Sequence, residues 1–189
     1  MENKILLVGV GGQGTILMSK ILSTALSSIG YDVKMSEIHG MSQRGGSVTT
    51  QIKYGEHVYA PNLGFGEADM IVSFEKIEAL RALPYLKEGG TIITDEREIN
   101  PMSVLTGAAE YPHDAIDAIR KAGVNIIVVK AAEIAENLGN TKAQNIVLLG
   151  ALVKMLNLEN IDWNSLITQM VPAKALQLNL DAFAAGFAM

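Results

Sequence analysis

Lys4 to Gly9 reads K-I-L-L-V-G, an unbroken apolar run that ends in glycine, and Val10-Gly11-Gly12-Gln13-Gly14 completes a G-x-G-x-x-G string. An apolar run without alternation is a strand buried on both faces, as in a parallel sheet covered by helices on either side. The glycines then allow a tight turn, and a helical pattern follows with Ile16, Leu17, Ile21, Leu22, Ala25 and Ile29 along one side. Gly30 falls where a helix ends in a left-handed residue, and Tyr31 to Glu37 reads as a second strand. The opening is therefore strand, glycine turn, helix, strand: a βαβ unit.

The remaining pattern extends that unit. Ile38 to Gly46 is a loop, and Ser47 to Tyr54 alternates as a half-exposed strand. Gly55-Glu56 predicts a two-residue turn and His57 to Ala60 a return strand, a hairpin that belongs at a sheet edge. Asp69–Phe74, Thr91–Asp95 and Val124–Lys130 read as further strands, with helices over Glu75–Leu83, Asp114–Ala122 and Ala131–Leu138. Glu96 to Pro112 has no clean period. Thr141 and Gln144 fit a capping box ahead of a helix that is apolar almost all round to about Leu156. Asp162 caps a helix through Val171. After Pro172 a last helix carries Leu176, Leu180, Phe183 and Phe187, a stripe that serves either the core or a docking face. The expected fold is a doubly wound, Rossmann-like α/β domain spanning residues 1–189. It has a mainly parallel sheet, one edge hairpin and a helical C-terminal segment.

Composition removes several functions. The 189 residues include no cysteine, which excludes a disulfide scaffold, a thiol nucleophile, a Cys-ligated zinc site and an iron–sulfur cluster held by this chain alone. A net charge of −5 argues against a nucleic-acid partner, which calls for a basic face. The 49% of hydrophobic residues beside 19% charged fits either a large core or apolar surface buried against another chain, with self-association of the isolated chain as a corollary. The first apolar run is too short for a secretory leader, and Ile146 to Val153 falls well short of the ~20 residues that span a bilayer. The chain is expected to be cytoplasmic, with no membrane partner.

Two glycine strings are the candidate site. In the first, Gly9, Gly11, Gly12, Gln13 and Gly14 lie between a strand and a helix start, where free backbone N–H groups favour a phosphate. Glu37 follows Gly14 by 23 residues, the place of an acid that would hold ribose hydroxyls. The competing reading is that the glycines pack helix against strand. The second string, Met41-Ser42-Gln43-Arg44-Gly45-Gly46, sets one guanidinium among small residues that expose N–H donors. It reads equally as an anion-holding loop or as a partner-contact loop with Arg44 in an ordinary ion pair. His39, His57 and His113 are scattered, without metal-ligand spacing, and no G-x-S-x-G elbow occurs. From these residues alone the function could be that of an NAD- or flavin-dependent oxidoreductase, or of a nucleotide-binding module without catalysis.

G-V-G-G-Q-G followed by E-I-H-G-M-S-Q-R-G-G resembles the small, gamma-type subunit of the 2-oxoacid:ferredoxin oxidoreductases, in the form of the indolepyruvate branch. The resemblance continues through Gly66–Glu75 (G-E-A-D-M-I-V-S-F-E), Tyr85–Gly90 (Y-L-K-E-G-G) and Lys142–Leu152 (K-A-Q-N-I-V-L-L-G-A-L), and so covers most of the chain. It implies conversion of an aryl 2-oxoacid, coenzyme A and oxidised ferredoxin to an acyl-CoA, carbon dioxide and reduced ferredoxin. Thiamine diphosphate, Mg and the iron–sulfur clusters then belong to a large partner subunit, because this chain has neither cysteine nor a G-D-G…N-N string. The resemblance leaves the two glycine strings, Gly9–Gly14 and Ser42–Gly46, facing a phosphate-bearing part of coenzyme A or the partner. It assigns no catalytic residue.

Overall fold

In a computed structural model that describes residues 2–40 and 45–189, the first strand, β1 (Asn3–Val10), has both faces covered. Ile5 and Leu7 point into one apolar cluster and Leu6 and Val8 into another, all four buried, which is why the run does not alternate. Around it lie β2 (Asp32–His39), β3 (Ser47–Gly55), β4 (Ala68–Ser73), β5 (Leu86–Asp95) and β6 (Asn125–Val129), in the order β2-β3-β1-β4-β5-β6. β1, β4, β5 and β6 pair in parallel, and β3 runs antiparallel to both β1 and β2. Helices α1 (Thr15–Ser28), α5 (Ala131–Asn137), α6 (Gln144–Met155), α7 (Trp163–Met170) and α8 (Leu176–Phe187) contribute to the Ile5/Leu7 side. On the Leu6/Val8 side lie α2 (Lys76–Ala82) and α4 (Ala115–Lys121). The doubly wound architecture and the helical C-terminal segment are as the sequence predicts.

The strand next to β1 differs from expectation. β2 does not pair with β1, because β3 lies between them. The edge hairpin is formed by β2 and β3, not by Ser47–Tyr54 with His57–Ala60, and residues 57–60 contain no strand. Gln51 and Lys53, whose polarity suggests a solvent face, are buried. The chain after β3 folds back over them, with Gln51 Oε1 accepting from Leu63 N at 3.0 Å and Val58 N donating to Asp32 Oδ2 at 3.0 Å. In α1 the buried side is Met18, Ile21, Leu22, Ala25 and Leu26, while Ile16 and Ile29 are exposed. The nominally irregular 96–112 stretch holds one short helix, α3 (Met102–Leu105).

Asp162 caps α7 as expected, accepting from Ser165 N at 3.0 Å. The Thr141–Gln144 capping box does not form. Asn140 accepts from Lys142 N at 3.0 Å, and the Gln144 side chain turns inward. The α8 stripe belongs to the core: Phe183 stacks on Trp163 at 5.8 Å between centroids, and Leu176, Leu180 and Phe187 pack against the same cluster. α6 and α8 meet through glycine. A Cβ at Gly186 would stand 1.9 Å from Val147 O, and one at Gly150 would stand 2.3 Å from Phe183 O. In a loosely packed helix Gly→Ala gains about 0.5–1 kcal/mol from propensity. Here the backbone clash outweighs that gain. Gly186→Ala should lower the free energy of unfolding by about 2 kcal/mol in urea titration; an unchanged or higher value would show that the helices are not in contact there.

Candidate functional site

The four parallel strands end at one edge of the sheet. Between β1 and β4 the chain winds to opposite sides, which makes their carboxyl ends the switch point where open α/β sheets bind ligands. The first glycine string stands there. Gly12 and Gly14 have φ of 101° and 84°, and Gly14 is the N-cap of α1, with no side chain capping the helix. Thus the first turn of α1 keeps N–H groups directed outward.

Not every residue of the string faces outward. Gly9 is buried, and a Cβ there would lie 3.0 Å from Phe74 Cβ and 2.9 Å from Gln13 Oε1. Gln13 braces the switch point: its Oε1 accepts from Val10 N at 2.6 Å, and its Nε2 donates to Phe74 O at 2.8 Å. Asn145 Nδ2 donates to Gly14 O at 3.1 Å, covering that glycine from the α6 side. Gly11 N donates to Gly46 O at 2.8 Å, so the two glycine strings meet, as their common edge predicts. Gly45 and Gly46 are in place beside the turn, whereas Met41, Ser42, Gln43 and Arg44 lie outside the described residues.

Behind the turn is a polar network that sequence reading missed. Gln144 Nε2 donates to Phe74 O and to Asp95 Oδ2, both at 2.7 Å, while its Oε1 accepts from Gln13 Nε2 at 3.3 Å and Arg97 Nη1 at 3.1 Å. Asp95 also accepts from Ala132 N at 2.8 Å and Arg97 N at 3.2 Å. Burial pushes the Asp95 carboxyl up to about 6, against these hydrogen bonds, which act to lower it. On the other flank, buried Glu75 accepts from Glu78 N at 3.0 Å, Ile99 N at 3.2 Å and the Tyr111 hydroxyl, and so fastens the 96–113 excursion onto α2. Lys76 adds an ion pair with Glu98 and a hydrogen bond to His113 O at 2.9 Å. The glutamine pair leaves a signal in sequence only as polar residues within glycine-rich or apolar strings. Arg97 leaves none.

Two clefts flank the turn. One, of ≈ 420 Å³, is lined by Gly11, Gly12, Thr15, Ile16, Glu37 and Val48. The other, of ≈ 330 Å³, lies toward Arg97 and Lys142. Glu37 thus reaches the glycine turn, but from the second strand out, since β3 occupies the place next to β1 where a dinucleotide fold carries its ribose-binding acid. Its Oε1 is buried with no hydrogen-bond partner among the described residues. No group of three or more potential metal-ligating side chains occurs among the described residues, and no helix there is long and apolar enough to cross a membrane.

A family model for pyruvate ferredoxin/flavodoxin oxidoreductases matches residues 4–189. The chain belongs to that family. The chain is 39% identical over 194 residues to the indolepyruvate oxidoreductase subunit IorB of Thermococcus kodakarensis, covering 98% of this chain and 94% of the relative. It is 36% identical over 192 residues to the subunit of the same name from Methanothermobacter thermautotrophicus, covering 99% and 97%. The fold matches the gamma subunit of a keto/oxoacid ferredoxin oxidoreductase from Geobacter sulfurreducens, with a TM-score of 0.71, 23% identity and coverage of 98% and 96%. It also matches a 2-oxoglutarate:ferredoxin oxidoreductase from Magnetococcus marinus, with a TM-score of 0.76 and 19% identity, covering 99% of this chain and 30% of that one. The resemblance carried by the glycine strings therefore holds for the family over nearly the whole chain.

For this family member the Asp95 network has a pH signature. Below the ordinary carboxyl value of 3.8, Asp95 is protonated folded and unfolded; between there and about 6 the folded state holds the extra proton. Its contribution to stability is thus fully present at the acidic end and is lost as pH rises through 6. Asp95→Asn should remove that decline, so the stability difference between wild type and variant changes across pH 4–6 and is flat above pH 7. Parallel curves over pH 4–8 would show that Asp95 is not buried as described.

Proposed function

We propose that the chain is the small subunit of an indolepyruvate ferredoxin oxidoreductase, an enzyme that oxidatively decarboxylates an aryl 2-oxoacid to its acyl-CoA and passes the electrons to ferredoxin. The observation that carries this reading is the 36–39% identity, nearly end to end in both chains, with archaeal indolepyruvate oxidoreductase subunits. Relatives named for other 2-oxoacids are more distant, such as the 2-oxoglutarate synthase subunit KorC at 28%.

The donor chemistry divides the labour. Iron–sulfur clusters are held by thiolates, and this chain has no cysteine to supply them. The clusters accordingly belong to a large partner subunit, which also meets ferredoxin, and thiamine diphosphate with Mg is assigned to the same subunit because this chain carries no G-D-G…N-N string. When bound there, thiamine diphosphate supplies the electron sink for decarboxylation. The contribution of this chain is a single domain of cytoplasmic enzyme that completes the coenzyme A entrance. Gly12 and Gly14 offer backbone N–H groups at the switch point, where Gly11 N is already taken by Gly46 O, and the string Ser42, Gln43, Arg44, Gly45 and Gly46 is assigned as the ligand- or partner-facing segment. Gly9 and Gln13 keep that turn in shape from behind.

The test is reconstitution. The pure chain should reduce no viologen dye with indolepyruvate and coenzyme A, and adding the large subunit should give turnover that depends on both. Turnover by the chain alone, or full turnover by the large subunit without it, would contradict the proposal.

A further inference from the structure

β2 is an outer strand of the sheet: it pairs with β3 on one side and with no strand on the other among the described residues. It is eight residues long, and its register with β3 runs unbroken from Asp32 opposite Gly55 to His39 opposite Val48. Open edges of this kind are ordinarily guarded by a proline, a bulge or a lysine. This edge has neither proline nor bulge, and its single lysine, Lys34, is neutralised by Asp32 in the same strand. Met35 and Ile38, on opposite faces of the strand, are both exposed. A row of unpaired backbone N–H and C=O groups is chemically matched by another extended strand.

The helix beside the edge points to the source of that strand. α1 lies over β2 and β3, with Ser23 Oγ 3.9 Å from Met35 Sδ. A solvated helix face is normally rich in charge. The only charge in α1 is Lys20; its exposed side otherwise carries Ile16, Thr24 and Ser27, and exposed Ile29 follows the helix. Strands stand about 4.8 Å apart, so a helix over the β2–β3 gap lies about 5 Å from the midline of a β2–β2 pair. A two-fold copy then brings its own α1 to about 10 Å, the distance at which helices pack. The two helices run antiparallel, so Ile16 of each copy approaches Ile29 of the other, with small hydroxyl side chains between.

The charges allow the same arrangement. Directly opposed residues of an antiparallel pair share a face, so a two-fold axis between two copies of β2 passes level with one residue. At Met35 it sets Lys34 opposite Ser36 and Glu37 opposite Val33; at Ser36 it sets Lys34 opposite Ile38 and Glu37 opposite Met35. Neither register opposes like charges. On the α1 side, two copies of Lys20 and two of Glu37 gather near the axis as a set without net charge. We propose that two copies of this chain join edge to edge through β2, in one twelve-stranded sheet with α1 packed on α1. This pairing does not rest on the function proposed above.

Sedimentation equilibrium of the full chain over a concentration series is the first measurement. The mass should reach that of two chains by about 100 µM. Met35→Lys sets two further cations at the axis and should weaken the dimer by about tenfold or more. Met155→Lys, at an exposed methionine of α6, should leave it as it is. The chain has no cysteine, so a single introduced one reports on the axis. Residues directly opposed across an antiparallel pair stand within disulfide reach, and on oxidation Met35→Cys or Ser36→Cys, whichever lies at the axis, should give a covalent dimer. A wild type that stays monomeric at every concentration overturns the pairing and leaves the edge to a strand of another subunit. A dimer that neither cysteine links, or that a folded Met35→Lys does not weaken, overturns it as well. Should Met35→Lys unfold the chain, the cysteine variants still decide. Failed reconstitution with the large subunit would refute the subunit function and leave this result standing.

Discussion

The Phe74 carbonyl, at the end of β4, accepts from two side-chain amides, Gln13 Nε2 at 2.8 Å and Gln144 Nε2 at 2.7 Å. This junction joins the glycine turn after β1, the first turn of α6 and, through Asp95, the end of β5 and the start of α5. It sits where strand order reverses, so an open α/β sheet would otherwise leave a crevice with unpaired backbone groups. Leaving such a buried group unpaired costs about 1–3 kcal/mol, and the two glutamines answer several at once. The glutamines therefore hold the turn through side-chain hydrogen bonds from behind. Gly12 remains at the surface of the turn, while Gly9 and Gly14 are where Phe74 and Asn145 come closest. Packing thus accounts for Gly9 and Gly14 and not for Gly12.

What the sequence made legible was set locally. β1 reads as doubly buried because Ile5–Leu7 and Leu6–Val8 serve two cores, and Asp162 reads as a cap because its partner Ser165 is three residues away. The errors came from distant partners. Gln51 and Lys53 look like the wet face of a strand until the 56–67 segment folds over them. Gln144 has the spacing of a capping glutamine, yet its amide reaches residues 70 and 49 positions away. The place of β3 between β1 and β2 has the same origin, since local pattern gives strand and helix but not which strand intervenes.

The glycine string alone invites a dinucleotide reading, and two features turn the account away from it. β3 holds the place next to β1, moving Glu37 one strand outward, and the family match runs from residue 4 to the end of the chain. A chain with no cysteine inside a family named for ferredoxin chemistry cannot supply the cluster thiolates itself. What it can supply is rigid backbone donors and cations at a sheet edge.

Native mass spectrometry of the complex purified from its own cells, through a tag on this chain, decides whether the chain works as one part of a larger oxidoreductase. The expected result is a stable assembly with one larger, cysteine-bearing subunit that carries iron and thiamine diphosphate. Recovery of the chain alone, or with bound NAD or flavin and no such subunit, would contradict it.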